Sequence, residues 1–270
     1  MRTAVAALIG VALALPSSVW AQAAGAPDVA ADWDILRDAR QKTVMAYTVF
    51  DVGLGISFRC TDGGFDAFIS GLPPAGGEAE TRPFSLIFAD ADTPHPQSWN
   101  VAVEDTMAVS PLPAPLARKL REGGRFQIVV PGAGGEGRNL RYDLTLPVSS
   151  AAIDETLTAC GWPLVDPRDA ALGDLADNGL PRGLRWARRP RPEYPSDNRV
   201  YMRGFAVTTC ITAPDGALRD CVIETEHPRD GGFGDSVLRA ARRARVERAD
   251  GSNEPLPPAR LVFRTSFGSR

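Results

Sequence analysis

Two cysteines flank an Asp-Gly pair near the C-terminal end of the chain, in the segment CITAPDGALRDC that runs from Cys210 to Cys221. An Asp-Gly pair between alternating residues favours a two-residue hairpin of type I′, because that turn needs positive φ at both central positions. A turn centred on Asp215 and Gly216 places Cys210 directly opposite Cys221, with the Cα atoms about 5 Å apart. A disulfide accepts that separation. The segment therefore predicts an antiparallel hairpin closed by a Cys210–Cys221 disulfide.

Cys60 and Cys160 complete the set of four cysteines. In an exported chain they are expected to pair, because an oxidising compartment disfavours free thiols. A Cys60–Cys160 bridge would close a loop of about 100 residues and remove roughly 4 to 5 kcal/mol of denatured-state entropy. The alternative is four buried free thiols. No two cysteines have the short spacing of a zinc knuckle, and we predict neither a metal site nor a cofactor.

The first residues have the pattern of an export signal. Arg2 supplies the positive start, an apolar run covers residues 4–15, and Val19-Trp20-Ala21 offers a cleavage site. The run is well short of the ~20 residues that span a bilayer. We therefore predict a signal peptide at residues 1–21 and a mature chain that begins at Gln22, outside the cytoplasm. The alternative is a retained leader that anchors the chain in the inner membrane.

Residues 28–165 are predicted to form a β-rich domain, for which the sequence names no function. Apolar residues alternate with polar ones in five runs, which is typical of antiparallel strands with one buried face. Turn residues separate these runs, which cover 54–60, 65–69, 84–88, 126–130 and 140–146. Two short helices are expected at 113–121 and 150–159, whereas residues 32–40 fit either a helix or a strand. The fold class is therefore α+β.

Residues 166–191 are predicted to be a connector, because arginine and proline crowd its second half. Its arginines are Arg182, Arg185, Arg188, Arg189 and Arg191. From residue 182 onward the chain has 17 Lys and Arg against 11 Asp and Glu, a net charge of +6, whereas the preceding residues have 13 against 22, a net charge of −9. This division favours two domains with different partners. The connector is either a solvated tether or an arm in weak contact with an anionic envelope surface.

Residues 192–267 have the order of elements of a small ββαβ domain. The segment opens with a Tyr194-Pro195 pair. After it come an alternating strand from Gly204 to Thr212, a return strand, a helix at 235–245 and a last strand at 261–267. In these features the segment resembles the C-terminal domain of the TonB energy-transducer family. It departs from that family at Arg203, where an acidic residue is common, and at the end of the helix, where the aromatic-rich signature is absent.

The resemblance implies a periplasmic protein that binds a protein partner, of the TonB-dependent outer-membrane receptor type, in energy-coupled transport across the envelope. In that family the partner adds a strand near the final strand of the sheet. By resemblance, the partner-binding residues are Arg260, Leu261, Val262, Phe263, Arg264 and Thr265. Arg260 and Arg264 share one face and would add selectivity through their charge. The alternative is that this strand is central or covered.

A true transducer needs an inner-membrane anchor and a long spacer, and in their place the sequence predicts a cleavable signal and a β domain. We therefore favour a TonB-like binding protein. A disulfide-stapled binding or structural module that shares the fold without energy coupling is the alternative.

An enzyme is not predicted. The two histidines, His95 and His227, stand beside prolines and are expected to be solvated loop residues. The sequence has no nucleophile elbow, phosphate-binding loop or metalloprotease motif. A signature for nucleic-acid binding is also absent.

Overall fold

The computed structural model describes residues 32–76, 79–88, 94–102, 104–172, 175, 179–195 and 203–268. The predicted signal peptide lies outside these residues. The described chain is mostly antiparallel β-sheet with helices, in agreement with the predicted α+β class. None of its helices is long and apolar enough to cross a membrane.

In the described chain, nine strands form one sheet, here called the N-terminal sheet, in the order β1-β2-β3-β4-β7-β6-β5-β8-β9 with every pair antiparallel. The strands are β1 Asp34–Asp38, β2 Thr43–Val49, β3 Gly55–Thr61, β4 Gly64–Ser70, β5 Thr81–Phe88, β6 His95–Val101, β7 Ala108–Val109, β8 Gly124–Val130 and β9 Leu140–Leu146. The five predicted strands are confirmed as β3, β4, β5, β8 and β9. The segment that fitted either a helix or a strand contains β1.

Both predicted helices of this region are confirmed, as α1 Pro113–Leu120 and α2 Ala151–Ala159. Proline stands at the start of α1, where its missing N–H costs no helical hydrogen bond. The helices pack with the buried face of the sheet into one core, whose largest side chains include Trp99, Phe58 and Phe84. Burial of each aromatic side chain there contributes on the order of 2 to 3 kcal/mol.

The predicted Cys60–Cys160 disulfide is confirmed, with a Cα–Cα distance of 5.5 Å. Cys60 lies on β3, and Cys160 is the residue at which α2 ends. The bridge therefore ties α2 to the sheet that it covers.

The C-terminal part has five strands and one helix in the described residues: β10 Leu184–Arg188, β11 Arg203–Thr212, β12 Leu218–His227, α3 Phe233–Ala241, β13 Arg245–Arg248 and β14 Arg260–Gly268. Strands β12, β11 and β14 form an antiparallel sheet in that order, here called the C-terminal sheet. Strands β10 and β13 form a separate two-stranded ribbon. The predicted connector contains β10 and a 3-10 turn at Pro167–Leu172.

The predicted helix at 235–245 begins and ends earlier in the structure. Gly232, with φ 69°, precedes α3, and Phe233 fills the space beside Gly204 and Gly231. After Ala241 the chain turns and continues as β13. Val246 on β13 is buried in the core under the helix, so pairing of β13 with β10 replaces the last predicted helical turn.

The Cys210–Cys221 disulfide is confirmed, with a Cα–Cα distance of 4.1 Å, but the predicted type I′ turn is wrong. Ala213 N–H donates to the Ala217 carbonyl at 2.8 Å, and Gly216 N–H donates to the Ala213 carbonyl at 2.9 Å. Pro214 occupies the second position of that turn, where its fixed φ favours type I. Irregular register in the β11–β12 pair compensates for the longer turn, so the two cysteines still meet.

The two faces of the C-terminal sheet meet different partners. Ala206 on β11 and Phe267 on β14 pack against Phe233 and Val237 of α3. Alternate side chains point to the opposite face, where Arg264 reaches Asn100 of the N-terminal sheet. The C-terminal sheet therefore lies between α3 and the N-terminal sheet.

Candidate functional site

Among the described strands, β14 lies at an edge of the C-terminal sheet. It pairs with β11 in continuous antiparallel register from Arg203 opposite Gly268 to Ile211 opposite Arg260. Val262 N–H donates instead to the Gly179 carbonyl, at 2.8 Å, and therefore points away from β11. Because backbone groups alternate along an antiparallel strand, those of Arg264 point outward as well.

One part of this edge is covered. Gly179 has φ 75°, and a Cβ atom at this position would collide with the Val262 carbonyl oxygen. Only glycine accepts both that conformation and so close an approach of two backbones. Gly179 therefore occupies the edge at Val262.

The other part of the edge is open with respect to the described residues. From Arg264 to Gly268, no described backbone group outside β11 is hydrogen-bonded to β14. At about 3.4 Å per residue this stretch is about 14 Å long. Ser266, in its middle, is exposed. An extended peptide can bind such a row of outward N–H and C=O groups by main-chain hydrogen bonds. We call residues 264–268 the open edge.

The predicted partner-binding residues alternate between the two faces of β14. Leu261 is fully buried in the core beneath α3, and Thr265 shares its face. Phe263 packs edge-on against Trp186 of β10, with ring centroids 5.7 Å apart. Val262 is half-buried. Phe263 and Trp186 thus place aromatic surface on the α3 side of β14.

Arg260 shares a face with Arg264, as predicted, but its side chain is 0% exposed. Its Nη2 donates to Glu224 Oε1 at 2.6 Å, and its Nη1 donates to Asp169 Oδ1 at 2.8 Å. Glu224 is itself fully buried, and its Oε1 also accepts the Thr209 hydroxyl at 2.6 Å. The charge of Arg260 is therefore balanced within the chain.

The ion network of Arg260 continues into the N-terminal part. Asp169 accepts two hydrogen bonds from Arg118 of α1, at 2.5 and 2.9 Å. Asp166 lies 3.6 Å from Arg118, and the hydrogen bond from Arg168 lowers the pKa of Asp166 to about 2. A buried network of this kind holds the first residue of β14 against α1.

Arg264 is the charged side chain that begins the open edge. Its Nε donates to Asn100 Oδ1 at 2.8 Å, and its guanidinium lies 4.6 Å from the centre of the Phe205 ring. Burial lowers the pKa of Arg264, and Glu80, at 3.6 Å, opposes that effect. About a quarter of the side chain remains exposed, 26%. Arg264 therefore links β14 to the N-terminal sheet while part of its charge still reaches solvent.

No protein-family model matches this chain, and no curated protein is significantly similar to it.

A second cluster joins the two sheets around Asp66, a buried residue of β4. Arg59 Nη2 donates to Asp66 Oδ2 at 3.1 Å, and Arg229 donates to the same oxygen. Arg229 also donates to the Thr61 carbonyl. His227 Nε2 lies 3.3 Å from the other oxygen of Asp66, Oδ1. Burial raises the pKa of Asp66, but the contacts with His227, Arg229 and Arg59 outweigh it, and the pKa lies below its ordinary value. Desolvation of the carboxylate is thus compensated by these groups.

The expectation that both histidines are loop residues is wrong. His227 is the last residue of β12 and contacts Asp66, and His95 is the first residue of β6. The sequence carried no signal for the Asp66 cluster, because His227 and Arg229 lie far from Asp66 in the chain. In the described residues, no three side chains of His, Cys, Asp or Glu group as metal ligands.

The predicted connector arginines Arg182, Arg185, Arg188, Arg189 and Arg191 are all exposed. Arg185 on β10 forms an ion pair with Glu247 on β13, at 2.8 Å. Arg188 stands directly opposite Arg245 in the same ribbon.

Proposed function

We propose that this chain is an exported, periplasmic TonB-like protein that binds a partner protein by strand addition at the open edge of β14. The observation that carries the proposal is the row of outward backbone groups from Arg264 to Gly268, to which no described residue outside β11 pairs. The partner would be an extended segment of an outer-membrane protein of the TonB-dependent receptor type. The activity is binding associated with envelope transport, and no covalent chemistry is required.

The order of elements supports the proposal. Strands β11 and β12, helix α3 and strand β14 follow one another as in the ββαβ unit that the resemblance implies, with β13 added between α3 and β14. Tyr194, of the Tyr-Pro pair that suggested the resemblance, packs edge-on against Phe233 and Phe267. Residues 192–267 would then form one binding domain, preceded by the connector and the β-rich domain.

Each face of the open edge would contribute differently to selectivity. On the α3 side, an added strand would place alternate side chains beside Thr265 and, at the end nearest Phe263, against its aromatic ring, which favours an apolar residue. Its other side chains would lie beside Arg264, which favours an acidic residue. Arg260 would hold the strand in place from within the protein, because its own charge is already paired.

The proposal is tested by amide hydrogen exchange on the mature chain with intact disulfides. The probes are synthetic extended peptides from TonB-dependent receptors of the same organism. Binding should slow exchange at the outward amides of Arg264 and Ser266 and leave Thr265, which pairs with β11, unchanged. Ser266→Pro removes one outward N–H and should weaken binding at least tenfold, about 1.4 kcal/mol.

Ser266→Ala is the matched control, because it keeps the backbone N–H, and it should bind within about twofold of the unmodified chain. A peptide that binds without protecting these amides, or that binds the proline variant equally well, would contradict strand addition here.

A second candidate, a disulfide-stapled periplasmic module without energy coupling, is favoured by two observations. Gly179 already occupies the edge at Val262, and Arg264 holds β14 against Asn100. In that case receptor peptides would protect neither outward amide. The mass of the N-terminal peptide and membrane fractionation separate a mature start at Gln22 from a retained inner-membrane anchor.

A further inference from the structure

Exposed arginines of β10 and of the turn after α3 both neighbour Arg245 of β13. Arg188 on β10 lies opposite Arg245 on β13, and Arg245 Nη1 donates to the carbonyls of Arg242 and Ala244, which follow α3. One guanidinium thus joins the ribbon to the helix. We call the exposed side chains of Arg188, Arg242 and Arg243 the arginine face.

The charge of the arginine face is not balanced by the described residues. Arg185 and Arg248, beside it, pair with Glu247 and Glu254, at 2.8 and 3.6 Å. None of the three arginines that define the face forms an ion pair with a described residue. Like charges directly opposite each other on paired strands, as at Arg188 and Arg245, destabilise a sheet. This arrangement favours an external anion that compensates the repulsion.

The arginine face lies on the side of the molecule away from the N-terminal sheet. Helix α3 covers one face of the C-terminal sheet, and Arg264 and Arg229 connect the opposite face to Asn100 and Asp66. The chain from residue 182 onward carries a net charge of +6, and the residues before it carry −9. A molecule with separated charge orients its basic side toward an anionic surface and its acidic side away.

We propose that the arginine face binds a membrane surface through its anionic phosphate headgroups. The planar guanidinium of arginine forms paired hydrogen bonds with phosphate oxygens. Arg188 comes from β10 and Arg242 and Arg243 from the turn after α3, and the cavity lined by Arg182, Gly183 and Arg248 includes none of them. Exposed arginines spread in this way match many separate phosphates on a broad surface better than one enclosed ligand.

The test is sedimentation of the mature chain with vesicles of phosphatidylcholine, with and without phosphatidylglycerol, at low and high salt. We expect binding only to the anionic vesicles, and its loss at high salt. Each basic residue near an anionic surface contributes about fivefold, so the variant Arg188→Gln/Arg242→Gln/Arg243→Gln should bind about 100-fold more weakly. The single variant Arg242→Gln should lose about fivefold.

The matched control removes the same charge from exposed sites elsewhere, in Arg40→Gln/Arg138→Gln/Arg219→Gln. It should bind within about threefold of the unmodified chain, and Ser266→Pro should bind normally, because strand addition uses another surface. Circular dichroism and the thermal midpoint verify that each variant is folded.

Three results would overturn the proposal. The first is no binding to anionic vesicles, and the second is an equal loss of binding in the triple variant of the arginine face and in the control variant. The third is soluble polyglutamate that binds as tightly as the vesicles, which would indicate an acidic protein partner instead.

Discussion

Replacing Arg260 by leucine should destabilise the protein far more than removing an exposed arginine. Arg260 and Glu224 are both fully buried, and Arg260→Leu leaves the Glu224 carboxylate with the Thr209 hydroxyl as its described hydrogen-bond partner. Breaking a buried ion pair from one side costs about 3 to 5 kcal/mol, because an uncompensated charge remains. Asp169 keeps its hydrogen bonds to Arg118, so the main loss comes from Glu224.

The measurement is urea unfolding with intact disulfides, followed by circular dichroism and tryptophan fluorescence. The double variant Arg260→Leu/Glu224→Leu removes both charges and should recover to within about 2 kcal/mol of the unmodified protein. Arg125→Leu is the control, because Arg125 pairs with Asp143 on the exposed side of β8 and should lose at most about 1 kcal/mol.

Two outcomes would refute this reasoning. In one, Arg260→Leu costs no more than Arg125→Leu, which would mean that the pair is solvated. In the other, the double variant is as unstable as the single one, which would mean that packing and not charge dominates.

Three further predictions concern other contacts. The pKa of Asp66 is lowered in the folded state, so the ionised carboxylate stabilises the fold above its ordinary pKa of 3.8. This stabilisation is lost as pH falls through the folded-state pKa. In Asp66→Asn, the free energy of unfolding measured with urea should therefore fall less steeply at acid pH. Cys60→Ala/Cys160→Ala should cost about 4 to 5 kcal/mol in the same assay under oxidising conditions, against about 3 kcal/mol for the shorter C-terminal loop. Gly179→Ala should cost about 1 to 3 kcal/mol and accelerate amide exchange at Val262, because alanine is strained at φ 75° and collides with the neighbouring carbonyl.

Sequence periodicity predicted the strands whose buried residues are apolar and alternate. It missed β2, where the buried residues are Ala46 and Thr48 on one face and Thr43 on the other, so that neither face reads as a hydrophobic run. It also missed β6, where His95 and Pro96 begin a largely polar strand. Both strands are held by neighbours on each side, and such tertiary pairing overrides local preference.

The sequence likewise predicted one part of the candidate site and missed another. The final strand and its alternating faces followed from local pattern. The burial of Arg260 did not, because its partners Glu224 and Asp169 come from separate segments of the chain. Glu224 moreover stands where the register between β11 and β12 shifts, and a register shift re-aims a side chain in a way that no single-strand pattern predicts.

Both covalent loops close before β14 begins, since Cys60–Cys160 and Cys210–Cys221 enclose only earlier residues. If a partner strand binds at residues 264–268 as proposed, a mechanical pull through it would be resisted by hydrogen bonds and by the buried Arg260, and no disulfide would share the load. Tension along the strand axis loads the β11–β14 ladder in shear, so its bonds resist together. At a force above the shear strength of this ladder, β14 would detach while the disulfide-bridged hairpin stays intact. The last strand would then separate under load without unfolding of the hairpin.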